Sequence, residues 1–341
     1  MRKNFTAVLL AGALAGTLAL AACGGDDSGT GGSDDANTLN IVGYSVLEQA
    51  NAGVISAFQD TDAGKGIEFK ESYGASGDQA RAVIAGQDAD EVHLSLEPDV
   101  QKLVDEGLVA DDWKDNDTKG ICTQSVVVMV VRTGNPKNIK TWDDLIKPGI
   151  GIVTPNPASS GSAKWNLLAA YGSVLGEGGS EEDAQAYLQK FFANVAALPD
   201  SGRDATTAFT SGTGDVLLSY ENEAILAKQS GTDFDYIVPD STLLIQNPCA
   251  IVDGASAKAQ DFMDFQKSEE GQKLYAATGY RPLMDVGDLD VDGANDPTNP
   301  FPEPATLLTI DDDFNGWADA NTKYFDENDG IITKIQAEAG E

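Results

Sequence analysis

Asn156-Pro-Ala-Ser-Ser-Gly-Ser-Ala-Lys-Trp165 is a loop that turns into a helix. Pro157 breaks what precedes it, Ser160 has the chemistry of an N-cap, and Trp165, Leu167, Leu168 and Tyr171 follow at helical spacing. A helix that starts there leaves the backbone N–H groups of Gly161 and Ser162 without intrahelical partners. Its end carries roughly half a positive charge, which suits an oxyanion. Three other segments share the pattern of small donors just past a strand. Gly43-Tyr-Ser45 follows the first strand. Ser72-Tyr-Gly-Ala-Ser-Gly77 precedes a helix, with Ser76 as N-cap. Asp200-Ser-Gly-Arg-Asp-Ala-Thr-Thr207 precedes another, and Leu218-Ser-Tyr220 ends a strand. One such turn is an ordinary connection; the set calls for a common explanation.

Around these turns the chain alternates short apolar strands with amphipathic helices. Strands are predicted at 39–44, 67–72, 91–96, 125–132, 151–153, 215–219, 234–238 and 250–252. Helices are predicted at 49–58, 78–85, 100–106, 142–146, 162–175, 181–194, 205–210, 221–228, 258–266, 269–277 and 314–336. This alternation implies an α/β fold of open, mostly parallel sheets with ligand sites at strand C-terminal ends. A length of 341 residues suggests two lobes. The strands at 125–132 and 249–252 are the candidates for two interlobe crossings, which would make a hinge with a ligand cleft. The expected division is 38–132 plus 250–341 for lobe I and 133–249 for lobe II. Residues 285–304 are acidic and hold Pro297, Pro300, Pro302 and Pro304, the composition of a surface loop.

With 55 acidic and 22 basic residues the formal net charge is −33. Nucleic acid is not expected as a partner, because phosphate binding needs a basic footprint. A small anion remains compatible if the site supplies local donors, since salt screens the distant field beyond about 8–10 Å. The N-terminus reads as an export signal: Arg2 and Lys3, an apolar stretch at 7–22, then Leu20-Ala-Ala-Cys23, which resembles the bacterial lipobox. Residues 1–22 are therefore expected to be a lipoprotein signal peptide, Cys23 the lipid anchor, and 23–37 a flexible tether at the outer face of the cell membrane. Two cysteines remain, Cys122 and Cys249, each opening an apolar run. An exported chain favours a bridge between them; two buried thiols are the alternative.

Chemistry other than binding finds little support. His93 is the single histidine and lies in a strand, as a structural residue does. No zinc spacing, Gly-x-Ser-x-Gly elbow or Walker loop occurs. Asp288-Leu-Asp-Val-Asp-Gly293 imitates a calcium loop, but its twelfth position is Asn299, and Pro297 and Pro300 deny it an exiting helix. Neither enzyme activity, cofactor nor metal is expected.

The set of turns resembles the sulfate-binding proteins of ATP-binding-cassette importers. The resemblance rests on Tyr73-Gly-Ala-Ser-Gly-Asp-Gln-Ala80, the 156–166 stretch, Gly214-Asp-Val-Leu-Leu-Ser-Tyr-Glu-Asn-Glu-Ala224, Gly279-Tyr-Arg-Pro282, Leu308-Thr-Ile-Asp311 and Gly316-Trp317. In order and spacing it covers nearly all of 39–338. It implies a monomeric, two-lobed binding protein of the type II periplasmic fold. Such a protein closes on a dehydrated sulfate and presents it to a membrane permease. It further implies uncharged donors from Ser45, Ser76, Ser160, Gly161, Ser162, Gly202 and Tyr220, with Arg203 behind them or as a surface pair rather than in contact. A sulfate at neutral pH offers only acceptors, so N–H and O–H groups satisfy it. The chain departs from the family pattern in having Tyr220 for Trp, Ser45 for Asp and Ser162 for Gly. Asp78 and Asp204 also stand where the family tends to have Lys and Gly. A carboxylate touching the anion would suit the protonated oxygen of hydrogen phosphate, so phosphate is the rival ligand, with thiosulfate and molybdate as further alternatives. Both aspartates also read as first-turn helix charges facing solvent.

Overall fold

The computed structural model describes residues 37–339. The expected signal peptide, Cys23 and all but the last residue of the tether lie outside them. The first half of the chain runs β1 (Thr38–Tyr44), a 3-10 turn at Ser45–Leu47, α1 (Glu48–Gln59), β2 (Glu68–Gly74), α2 (Ser76–Ile84), β3 (Glu91–His93), α3 (Glu97–Asp105), β4 (Ile121–Val131), α4 (Trp142–Leu145), β5 (Ile152–Val153) and α5 (Gly161–Gly176). It continues through α6 (Glu181–Ala193), β6 (Val195–Ala197), α7 (Gly202–Thr210), β7 (Val216–Tyr220), α8 (Glu221–Gln229), β8 (Asp235–Ile237) and β9 (Ser241–Ile251). The last elements are α9 (Ala257–Lys267), α10 (Glu269–Ala277), β10 (Thr306–Leu308), α11 (Ile310–Asp313), α12 (Gly316–Phe325) and α13 (Ile331–Ala339).

The strands hydrogen-bond in the order β2-β1-β3-β9-β4-β7-β5-β6. β4 and β9 lie antiparallel in the middle, paired from Ile121 with Pro248 to Val126 with Leu244. β9 goes on to pair β3, and β4 goes on to pair β7 and β8. Two strands thus pass side by side from one group of βα units to the other, which makes two lobes. Cys122 and Cys249 are disulfide-bonded at this crossing, with Cα atoms 5.7 Å apart. The β-branched run of β4 explains why it is central. Val127, Met129 and Val131 enter one core; Val126, Val128 and Val130 enter another on the opposite face. A strand buried on both faces reads as a continuous apolar run.

Several elements differ from the sequence expectation. The sheet is mixed rather than mostly parallel. β1–β2, β1–β3, β5–β6, β5–β7 and β9–β10 are parallel, whereas every pairing of β4, and that of β3 with β9, is antiparallel. The strands that join the lobes enter each one against the direction of its βα units. The short strand at 250–252 is the end of the eleven-residue β9. Gln246, Asn247 and Pro248 interrupt its apolar pattern, and a Pro inside a run argues against a central strand. Here Pro248 sits at the register shift between Ile121 and Thr123, where the ladder is already irregular. The single helix expected at 314–336 is two, because Asp326 Oδ1 accepts from the amides of Asn328 (2.9 Å) and Asp329 (2.8 Å) and turns the chain. α13 packs on α6, and α12 touches α3, so this C-terminal segment contacts elements on both sides of the crossing.

Candidate functional site

Three helix starts and the 3-10 turn after β1 meet in one place. Tyr44, Ser45, Val46, Gly74, Ala75, Ser76, Ser95, Ser160, Gly161, Ser162 and Gly202 line a small cavity there. These residues come from the ends of β1, β2 and β3 on one side and from the starts of α5 and α7 on the other. The cavity is small, on the scale of an ion of few heavy atoms. None of its lining side chains is charged.

Local structure explains the free donors. Away from the cavity, α6, α9 and α10 are capped by Ser180, Ser256 and Ser268, each accepting from an amide of its own first turn. α2 and α5, which open onto the cavity, begin at Ala75 and Ser160 without a side-chain cap. In α2 the amide of Gly77 is taken by Ser159 O; the other first-turn amides of the two helices are not taken by a capping side chain. α7 is half-way: Ser201 caps the amide of Asp204, and the amide of Arg203 donates weakly across the cleft to Ser45 Oγ at 3.5 Å. Converging helix starts place partial positive charge on the cavity although the protein as a whole is acidic.

The cleft is closed. The amide of Gly77 donates to Ser159 O at 3.2 Å, and Trp165 Nε1 donates to Ser95 O at 3.0 Å. Gly161 lies so near the opposite lobe that a Cβ there would stand 2.5 Å from Ser95 Oγ and 2.8 Å from Leu96 Cγ. Only glycine permits that approach. Asn166 anchors α5 from below, donating to Thr154 Oγ1 (3.1 Å) and Leu218 O (3.0 Å).

Of the residues singled out in the sequence, Ser45, Ser76, Ser160, Gly161, Ser162 and Gly202 line the cavity together. Tyr220 stands one bond behind it. Its hydroxyl is 2.7 Å from Ser95 Oγ, and burial pushes its pKa well above the usual tyrosine value, so it remains protonated. Arg203 does not line the inner cavity. It donates to Gln49 Oε1 at 3.0 Å and pairs with the buried Glu223 at 3.1 Å. Asp78 and Asp204 lie with Arg203 around an outer hollow of about 260 Å³; Asp78 pairs with Arg81, and Asp204 accepts from Ser201.

Ser95 and Tyr44 were missed. Ser95 falls inside the strand predicted at 91–96, but β3 ends at His93, which leaves Ser95 at the strand end where Ser45 also lies. Tyr44 Oη donates to Asn247 Oδ1 at 3.0 Å and touches Tyr280 Oη at 2.8 Å, so its phenol belongs to a buried network behind the cavity. His93 joins that network through Thr123 Oγ1 at 3.1 Å. Burial lowers its pKa to about 3, so the ring is neutral and supplies no charge to an anion. A larger hollow of about 470 Å³, between Trp113, Ile251 and Met263, contains none of the predicted donors.

Comparison with known proteins agrees with this geometry. The family described as "Bacterial extracellular solute-binding protein" matches residues 39–281. A protein of Synechococcus elongatus named "Sulfate-binding protein" is 40% identical over 337 residues, covering 95% of this chain and 94% of its own. A Pseudomonas aeruginosa protein named "Thiosulfate-binding protein" is 35% identical, covering 83% and 85%. The solved structure of the sulfate-binding protein SubI from Mycobacterium tuberculosis H37Rv is 43% identical. It superposes with a TM-score of 0.79, covering 85% of this chain and all of that one.

Proposed function

The chain belongs to the bacterial extracellular solute-binding proteins, with a two-lobed type II fold and a binding rather than a catalytic role, and we propose that it captures sulfate and delivers it to an ATP-binding-cassette importer. The observation that carries this reading is the closed cavity lined from both lobes by small neutral groups. The proposed donors are the amides or hydroxyls of Ser45, Ser76, Ser160, Gly161, Ser162 and Gly202, with Tyr220 acting through Ser95. Arg203 and Glu223 neutralise each other beside the site. A dianion without a proton finds donors here and no counter-ion, and closure removes the water that would compete. Asp78 and Asp204 bear on the outer hollow, which weakens the argument for phosphate that their positions first suggested. Thiosulfate has a specific argument in its favour, the similarity to a protein named for it.

We further propose that the protein is a monomer, anchored by acylated Cys23 at the outer face of the cell membrane, where it meets its permease. The Leu20-Ala-Ala-Cys23 motif supports the anchor. The proposed lobes are 38–132 with 250–341, and 133–249. The packing of α13 on α6 argues for assigning the last helix to the second lobe. The deciding experiment is calorimetric titration of the protein with sulfate, thiosulfate, phosphate and molybdate in a buffer free of all four. Saturable binding of one sulfate per chain, tighter than phosphate, is expected. Phosphate binding more tightly than sulfate, or turnover of a chromogenic sulfate or phosphate ester, would overturn the reading.

A further inference from the structure

A carboxylate other than Asp78 and Asp204 is hydrogen-bonded to the wall of the anion cavity. It is Asp99, in the first turn of α3 and 3% exposed. Ser76 Oγ, on the cavity wall, donates to Asp99 Oδ2 at 2.7 Å and accepts from the amide of Ser95 at 3.0 Å. The other carboxylate oxygen accepts from Lys102 Nζ at 2.9 Å. A negative charge is thus held one hydrogen bond behind a site that has no charged lining.

Resting on the oxyanion reading above, we propose that Asp99 sets the affinity and selectivity of the cavity by retaining the Ser76 hydroxyl proton. A hydroxyl has one proton to donate and two lone pairs. In Ser76 the proton goes to Asp99, and one lone pair is used by Ser95. What remains is a lone pair, which has nothing to offer a fully deprotonated anion. Ser76 then serves such an anion through its backbone amide at the start of α2. To gain the hydroxyl as well, sulfate must take its proton from a carboxylate, the stronger competitor among neutral and charged acceptors. Hydrogen phosphate carries a proton of its own and can donate to that lone pair. Asp99 therefore penalises sulfate more than phosphate and keeps sulfate binding weaker than the donor set allows. Weak enough binding is useful to a carrier that must release its cargo. In Asp99→Asn the amide nitrogen can donate to Ser76 Oγ, which frees the hydroxyl proton for the cavity and removes the charge behind it.

The test is a double-mutant cycle on the full chain, with wild type, Asp99→Asn, Ser76→Ala and the double variant titrated calorimetrically with sodium sulfate and sodium phosphate. Ser76→Ala alone is expected to weaken sulfate by less than about tenfold, because the amide rather than the hydroxyl serves the anion. Asp99→Asn is expected to tighten sulfate by about tenfold and phosphate by less, widening the ratio between them. In the Ser76→Ala background that gain shrinks at least about threefold. The proposal is overturned if Ser76→Ala costs sulfate tenfold or more, if folded Asp99→Asn shows no gain, or if the gain is equal with and without the hydroxyl. Should Asp99→Asn fail to fold, the Ser76→Ala arm decides alone. Wild type binding thiosulfate or molybdate but no sulfate would count against the function above, and the same ratios would then be read with that anion. Wild type binding no oxyanion would overturn both.

Discussion

Gly77 and Ser159 are joined across the cleft by a backbone hydrogen bond of 3.2 Å, from an amide in one lobe to a carbonyl in the other. Neither side chain takes part. The lobes approach so closely at this point that a Cβ on Gly77 would meet Ser159 O at 3.1 Å. Closure therefore depends on residues without bulk at the contact, and the tightest of these is Gly161.

Gly161→Ala puts a methyl group 2.5 Å from Ser95 Oγ and 2.7 Å from Ser95 Cβ. Overpacking of this kind costs about 1–3 kcal/mol. The cost falls on the closed state alone, since parting the lobes relieves it. Ligand affinity is expected to drop about 10–100-fold, while the unliganded variant melts within about 1 kcal/mol of wild type. Calorimetry and a thermal scan without ligand measure the two effects separately. An affinity equal to wild type would show that the bound state is more open than this closed cleft.

A second test concerns a buried ion pair. Arg281 donates to Glu221 from Nε (2.7 Å) and Nη2 (3.1 Å), and both side chains are buried. Burial raises the Glu221 pKa, while Arg281 opposes that rise. Arg281→Met removes the compensation and leaves a carboxylate in the interior, which costs about 3–5 kcal/mol of stability. Adding Glu221→Gln should restore part of it, because a neutral amide is less costly to bury. Urea denaturation of both variants checks the order; a double variant no more stable than the single one contradicts the explanation.

How far the sequence could be read depended on whether the signal was local. The four turns, the helix at the start of α5 and the buried run of β4 follow from adjacent residues. Those segments therefore identified Ser45, Ser76, Ser160, Gly161, Ser162 and Gly202, which the cavity brings together. β9 was harder, because Thr242, Gln246, Asn247 and Pro248 hide a strand whose burial is decided by β3 and β4 on either side. Ser95 was missed because nothing local says that β3 stops at His93. Asp99 was invisible for a different reason. A first-turn acid followed by Lys102 has an ordinary helical explanation, and only the fold brings Ser76 to it. Tyr220 shows the opposite limit: its position was singled out, but its hydroxyl lies 2.7 Å from Ser95 Oγ, a partner that no local pattern announces.

The disulfide should matter more to the hinge than its two buried sulfurs suggest. Cys122 and Cys249 close a loop with a sequence separation of 127 at the point where β4 and β9 run side by side. Chain entropy predicts a stabilisation near 5 kcal/mol for a loop of this length, an upper figure that folded proteins often do not reach. Cys122→Ala with Cys249→Ala is expected to lower the melting temperature and to leave anion binding within about threefold, since neither cysteine lines the cavity. An unchanged melting temperature would mean that the β4–β9 ladder alone holds the crossing.

Two buried groups shape the pH dependence of stability in opposite directions. Burial raises Glu91 from 4.5 to about 8, against the opposing effects of the Gln266 hydrogen bond and the Lys267 charge. The folded state thus holds this proton more tightly than the unfolded chain does. Its contribution is complete below pH 4.5 and is lost as pH rises toward 8, at up to about 1.4 kcal/mol per pH unit. His93 behaves in reverse. Burial, with a smaller effect of Lys267, lowers it from 6.5 to about 3. Its contribution is complete above pH 6.5 and is lost as pH falls toward 3. Glu91→Gln should therefore flatten the decline between pH 4.5 and 8 while leaving the acid side as it was. Gln266 Nε2 donates to Glu91 Oε1 at 2.9 Å, a bond that the carbonyl oxygen of the substituted amide can still accept. His93→Gln should flatten the acid limb instead. Urea midpoints collected from pH 3 to 9 for the three proteins distinguish these outcomes, and parallel curves for wild type and Glu91→Gln would show that the Glu91 carboxyl does not carry the effect.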